Sequence, residues 1–350
     1  MAADWLGRRA NLHRGGHGGV IGIGQSGAGV EADGEVMADV ASQLAQHLWR
    51  HLEPIHALVY FAPEHRAACD AIGLRGGWMA YFASRAAPLG AASPGLVTAL
   101  FYNFHPRLVA RSLPDAWAFA APDAVLEARL SAIDRALRRE LGSWLMSPEL
   151  EQAAEQAHLA ASDLPSAGRP MYAANLTLPW PNEPHLVLWH AATLLREHRG
   201  DGHNAALLTH DIDGCEAHVL QVADRVVPRS VLQPYRGFSD DEWTAATARL
   251  RQRGLLDEQA ELTAAGRALR ADIASRTDQL AAGPVDVLGV ESTEVLLTAL
   301  APIRSQLAEG AIPFPNRMGV PPTDDDWREL VAAARDRTGD GSDGPSSELL

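Results

Sequence analysis

Residues 239–273 read SDDEWTAATARLRQRGLLDEQAELTAAGRALRADI, and this stretch decides the fold class of the second half of the chain. Ser239 stands ahead of Asp240, Asp241 and Glu242, the order expected where a helix opens and its dipole favours negative charge. Trp243, Ala246, Leu250 and the Leu255/Leu256 pair supply an apolar face, and Gly254 ends the helix. LLDEQAELT then has the length of a minimal β-hairpin, and Thr263 caps a second helix that starts AAGRALRADI. Helix, hairpin wing and helix in this order predict a winged-helix-like module.

A DNA reader needs positive charge on its recognition helix and wing, because phosphate neutralisation supplies most of the affinity. From Ser239 to Asp278 there are six arginines against eight carboxylates, and the wing itself, Asp257 to Glu261, carries three acids and no base. Arg249, Arg251 and Arg253 are the candidate DNA contacts; the plainer alternative is that they form a solvated helix face. The whole chain, at a net charge of -14, also lacks any general affinity for polyphosphate surfaces. DNA is therefore a disfavoured partner, and a packing or dimer-forming role for the module, with a homodimer as the assembly, is open beside it.

Just upstream, PWPNEPHLVLWHAATLLREHRGDGH places His185, His190, Glu197, His198, Asp201 and His203 within nineteen positions. On a helix, positions 190 and 197 fall within about 20° of each other. Gly200 and Gly202 predict a break after His198, with Arg199, Asp201 and His203 on a turn that folds back over the preceding face. His190, Glu197 and His203 are the candidate catalytic residues, His190 acting as an acid–base group oriented by Glu197. The same three are the candidate ligands of a metal ion, since His and Glu are ordinary zinc or iron ligands, although the spacing matches no zinc signature. The unremarkable alternative leaves Glu197 and His198 exposed at a helix end and Asp201 as a cap.

Three further segments carry a small-molecule pocket's usual lining, aromatic rings with a few polar groups. HALVYFAPEHR contributes His56, Tyr60, Phe61 and Glu64. GLRGGWMAYFASRAAPLG and LFYNFHP contribute Arg75, Trp78, Tyr81, Phe82, Arg85, Tyr102, Asn103 and His105. With Arg199 and Asp201, the residues His56, Tyr60, Trp78, Tyr102, Asn103 and His105 form the candidate ligand-binding set; aromatic core packing is the alternative for most of them. His105 precedes Pro106, which favours a loop position.

The rest of the chain is helical in pattern and bounds the function. Residues 1–34 form a Gly-rich leader expected to be flexible, 35–165 a helical domain, 166–320 the winged-helix-like domain with its His-rich opening helix, and 321–350 an acidic, largely disordered tail. Helices are expected from Glu35 to Leu52 and along APDAVLEARLSAIDRALRREL, where Val125, Leu126, Leu130, Ile133, Leu137 and Leu141 line one face; Ser147 is a candidate cap for another. The leader holds Gly22-Ile-Gly24-Gln-Ser-Gly27, but no strand precedes it and no βαβ pattern follows, so a nicotinamide or flavin dinucleotide is not expected. All thirty basic residues are arginine. Pyridoxal phosphate, Schiff-base catalysis, the phosphate-binding loop and protein-kinase chemistry, all of which need a lysine, are thereby excluded. Cys69 and Cys215 have no informative partner spacing and are expected to be core thiols in a reducing compartment. With no apolar run of the roughly 20 residues that span a bilayer and no signal segment, the expectation is a cytoplasmic protein without a membrane partner.

The RLRQRGLLD…LTAAGRAL sequence resembles the closing half of MarR-type winged helices, but those carry arginine where this wing is acidic. EPIHALVYFAPE, GLRGGWMAYFASRAAPLG, LFYNFHP and LVLWHAATLLREHRGDGHNAALL together resemble an actinobacterial family described as SalK-like or helix-turn-helix, over roughly residues 40–320. The resemblance implies an all-α domain joined to a winged helix; the SalK label implies aromatic or specialised metabolism, the helix-turn-helix label a regulator. The expected function is a small-molecule-binding protein, an enzyme in its fuller form, whose winged helix does not bind DNA. The competing expectation is a MarR-like, ligand-responsive transcriptional regulator, and a third is an interaction protein without a pocket.

Overall fold

The computed structural model of the chain describes residues 27–312 and 326–339. Their architecture is mainly α. The first helix, α1 (Gly27–Phe61), runs for 35 residues through Pro54. It extends the expected Glu35–Leu52 helix at both ends and takes in residues 27–34 of the expected leader, while most of the Gly22–Gly27 pattern lies outside the described residues. A proline inside a helix removes one hydrogen bond. Its neighbours Leu52, Ile55 and Leu58 are almost fully buried, and their packing offsets that loss.

Shorter helices follow: α2 (Pro63–Ala71), α3 (Gly76–Ala86), α4 (Pro94–Phe101), α5 (Pro106–Ala110) and α6 (Asp115–Phe119). Proline opens α2, α4 and α5, where its missing N–H costs nothing. They build a satellite core of Met79, Phe82, Val97, Phe101, Phe104, Val109 and Leu113 against α7 (Pro122–Leu141). On α7 the expected face is only partly the buried one. Val125, Ile133, Leu137 and Leu141 are buried, but Leu130 is exposed and Arg129 points inward.

The principal core gathers α1, α7, α8 (Pro148–Ser162), α10 (Pro184–Thr209) and α15 (Gly283–Gly310), with α9 (Pro170–Leu176) between α8 and α10 in the chain. Ser147 caps α8 by accepting from Leu150 N, and five buried alanines on α8 let α10 and α15 approach closely. Helix α15 is interrupted at Gly289, whose φ of 74° lies outside helical space. Helix α16 (Trp327–Gly339), within the tail expected to be largely disordered, buries Trp327 and Val331 against this core and packs on α1 and α15. This core draws residues from both sides of the boundary expected near residue 166.

The third core, where the winged helix was expected, is built by the end of α10, then α11 (Gly214–Ala223), α12 (Arg229–Arg236), α13 (Asp240–Gln252) and α14 (Ala264–Leu280). Ser239 and Glu242 form a reciprocal capping box at α13, Asp213 and Glu216 another at α11, and Thr263 accepts from Gly266 N at α14. The hairpin wing expected between α13 and α14 is not seen as strands. It is reduced to a single antiparallel bridge, Leu256 with Leu262, and Asp257 N donates to Glu261 O at 3.0 Å. Only residues 257–261 lie between the bridged leucines, and Asp257 Oδ1 accepts from Gln259 N and Glu261 N at 2.9 Å each, which folds them into a turn in place of a longer ladder.

Candidate functional site

The expected break at Gly200 and Gly202 does not occur, and its absence rearranges the candidate site. Helix α10 passes through both glycines. A Cβ at Gly202 would lie 3.0 Å from the Arg169 guanidinium and 3.1 Å from Leu280, so this glycine serves close packing. At 100° per residue His203 points away from Glu197, and His190 stands about two turns, roughly 10 Å, further back along the axis. The three residues acquire separate partners. His190 packs edge-on against Trp180 at 4.6 Å between ring centroids. His203 Nδ1 lies 2.9 Å from Thr277 Oγ1. Glu197 faces α3. Among the described residues no three His, Cys, Asp or Glu side chains come together to hold a metal ion. The expected acid–base and metal constellation is therefore not assembled.

What Glu197 does meet is a buried charge cluster drawn from four helices. Arg85 of α3 grips it with two parallel bonds, Nε to Oε1 and Nη2 to Oε2, each 3.0 Å. Arg196 Nη1 donates to Glu197 Oε2 at 2.8 Å, and its Nε lies 3.8 Å from Glu53 of α1. Burial opposes ionisation of Glu197, but Arg196 and Arg85 overcome it and hold the carboxyl well below the usual range. Burial pushes Glu53 up, against the pull of Arg196 and a hydrogen bond from Trp49. Arg85 also lies 4.0 Å over the Phe101 ring and 3.4 Å from the Tyr81 hydroxyl.

His56 is the other centre of the cluster. Its Nδ1 lies 3.0 Å from Thr193 Oγ1, while the single hydroxyl proton of Thr193 goes to Trp189 O at 2.9 Å. Nδ1 must then carry the proton, leaving a lone pair on Nε2. That Nε2 is buried and has no hydrogen-bond partner. Burial first, then Arg196, keep the imidazole neutral by driving its pKa well below 6.5. Tyr60 meets His56 edge-on at 5.3 Å and Tyr81 at 5.0 Å; burial pushes the Tyr60 phenol well up, so it is neutral. Arg129 of α7 donates Nη1 to Ser84 O at 3.0 Å and lies 5.3 Å from the Trp189 ring, but its Nε has no partner.

Of the sequence candidates, His56, Tyr60 and Glu197 are brought together here, and Trp78 packs edge-on against Tyr81 at 6.0 Å. Tyr102, Asn103 and His105 instead tie the segment between α4 and α5 to the segment around α11 and to α13. Tyr102 donates to Ile212 O at 2.5 Å, Asn103 O lies 2.8 Å from His218 Nε2, and His105 Nε2 lies 2.7 Å from Glu242. Arg199 pairs with Asp278 at 2.6 Å, with its Cζ 4.9 Å from the Trp49 ring. Asp201 accepts from Met171 N and Tyr172 N at 3.0 Å each, and burial pushes its carboxyl up to about 6. Beside the cluster, Trp49, Glu53, Arg196, Arg199, Ala281 and Pro284 line a cleft of about 20 Å³, enough for one water.

Glu53, Arg129 and Arg196 did not stand out in the sequence. A charged residue inside an otherwise apolar run, as in Leu52-Glu53-Pro54-Ile55 and Leu194-Leu195-Arg196, is the one signal that points to them. Both cysteines are buried, and burial pushes their thiols up, Cys215 to about 12, so neither is an activated nucleophile.

The three arginines considered for DNA are turned to internal work. Arg249 binds Glu216 at 2.7 Å and Asp213 at 2.5 Å. Arg251 donates to Asp257 O and Glu258 O at 2.8 and 2.6 Å, holding the reduced wing, and Arg253 donates to Asp211 O and His210 O at 2.6 and 2.8 Å. Family comparison matches residues 45–313 to a helix-turn-helix family. The chain belongs to that helix-turn-helix family. The match runs from the middle of α1 to just past the end of α15. Comparison with curated proteins and with solved structures gave no match. No described helix is long and apolar enough to cross a membrane.

Proposed function

We propose that this member of the helix-turn-helix family is a small-molecule-binding protein whose ligand site is the Glu53–His56–Arg85–Arg196–Glu197 cluster, and whose winged helix is a packing module. The observation that carries the reading is His56: a neutral imidazole with a buried, unpartnered Nε2 lone pair beside ionised guanidinium groups. An unmatched acceptor costs stability, and perturbed titrating groups concentrate at functional sites. In the enzymatic form of the reading, His56 Nε2 accepts a hydrogen bond from the ligand and orients it, and the Arg85–Glu197 pair fixes the surrounding charge. The aromatic rim of Tyr60, Trp78 and Tyr81 supports a ligand with an apolar or aromatic body. Against DNA reading stands the internal pairing of Arg249, Arg251 and Arg253, which leaves the wing side without free guanidinium groups from this trio.

The test is equilibrium dialysis of the full chain against a metabolite extract, with retained compounds identified by mass spectrometry. Wild type is expected to retain a defined compound that His56→Asn releases while Arg253→Gln keeps it. Retention of nothing by wild type, or equal retention by a folded His56→Asn protein, refutes the assignment.

A further inference from the structure

The charge cluster is unbalanced. Arg85, Arg129 and Arg196 face two carboxylates, Glu53 and Glu197. Glu197 is shared by Arg85 and Arg196, and Glu53 reaches Arg196 only at 3.8 Å. The next carboxylate outward, Asp201, is anchored by two backbone amides and lies in the field of Arg169. Among the described residues Arg129 therefore has no acid of its own, although it is only 7% exposed. Its Nε is orphaned, as are the Nε2 atoms of His56 and His190, the two histidines whose ionisation its charge opposes. An isolated buried guanidinium costs several kcal/mol. Cation–π contact with Trp189 and one carbonyl recover part of that.

From this imbalance we infer that the site takes a small oxyanion, a carboxylate or a phosphate group, and that Arg129 is the residue whose charge the ligand neutralises. The inference rests on reading the cluster as the ligand site and adds the chemical class. It assigns roles in a specific way. Glu197 already saturates Arg85, so Arg85 orients and Arg129 supplies the uncompensated charge. His56 and His190 stay neutral and bring no counterion of their own; His56, protonated at Nδ1, offers only an acceptor at Nε2 and so meets a proton-bearing group of the ligand, while the anionic oxygens face Arg129.

The experiment is thermal denaturation of the full chain with benzoate, its neutral isostere benzamide, acetate and inorganic phosphate, at constant ionic strength. At least one of the three anions is expected to raise Tm saturably, with benzamide silent; the order of benzoate, acetate and phosphate tells an organic acid from free phosphate. Arg129→Met is expected to abolish the response while leaving the ligand-free Tm unchanged or raised, because it removes an unmatched buried charge. If that variant does not fold, Arg129→Gln serves for the same comparison. No response to any anion, or an equal response in the Arg129 variant, overturns the inference. Benzamide acting as well as benzoate also overturns it, but leaves the ligand-site reading standing.

Discussion

Removing either half of the Arg85–Glu197 pair should reveal how far the fold depends on this cluster, and the two halves should not cost the same. The pair is 9% and 2% exposed at its side chains and bidentate at 3.0 Å, so solvent screens it little. Truncating one partner of such a pair costs about 3–5 kcal/mol, chiefly because the other charge stays buried and alone. Arg85→Met leaves Glu197 with Arg196 at 2.8 Å and should fall at about 3 kcal/mol, the lower end. Glu197→Leu takes from Arg85 its only carboxylate partner, leaving it the Tyr81 hydroxyl and the Phe101 ring, and leaves Arg196 only the 3.8 Å contact with Glu53, so it should reach about 5 kcal/mol. The double variant should recover on the order of 2 kcal/mol relative to the sum of the singles. Urea unfolding followed by circular dichroism, extrapolated to water, measures all four corners of the cycle. The acid limb supplies a second readout. Glu197 has a folded pKa below its ordinary 4.5, so its contribution is complete above that value and is lost as pH falls toward the folded pKa. Wild type should lose this stability on acidification, and the double variant should lack that loss. Singles costing under about 1 kcal/mol, or strict additivity, would refute the picture of a desolvated pair.

Other consequences are independent of that pair. A Cβ at Gly214 would sit 2.4 Å from Tyr102 O and one at Gly266 2.1 Å from Leu255 O, so alanine at either should destabilise by about 2–4 kcal/mol in urea titration. Gly95→Ala on α4, with nothing within 4 Å, should be neutral or stabilising by up to about 1 kcal/mol, and equal effects at all three would contradict the packing. Asp201 has its folded pKa raised from 3.8 to about 6, so its contribution is present below 3.8 and disappears as pH rises through 6. The stability of Asp201→Asn relative to wild type should therefore rise by about 2 kcal/mol between pH 4 and pH 7, and a flat difference would refute the burial argument. In fluorescence anisotropy at low salt, duplex DNA should bind no better to wild type than to a variant with Arg249, Arg251 and Arg253 changed to Gln. Salt-sensitive wild-type binding abolished in the variant would restore the regulator reading.

Short-range physics was legible in the chain. Ser147, Ser239 and Thr263 cap helices because a cap bonds three residues ahead, and the acids after Ser239 follow from the same helix end. His105 before Pro106 sits outside the helix for an equally local reason. The sequence by itself thus determined a mainly α chain, an acidic rather than basic turn between α13 and α14, and the exclusion of lysine chemistry. Only the tertiary structure decided the rest. Gly200 and Gly202 remain helical because α10 is clamped by Arg169 and Leu280, which no local propensity records. Arg129 points inward and Leu130 outward because Ser84 and Trp189 receive the guanidinium. Glu197 pairs with a residue 112 positions away instead of with His190 seven positions away, since helical rise carries His190 out of reach while packing brings α3 against the carboxylate. Helical periodicity fixes which face a side chain occupies, and only the packing of distant helices fixes which charge it meets there.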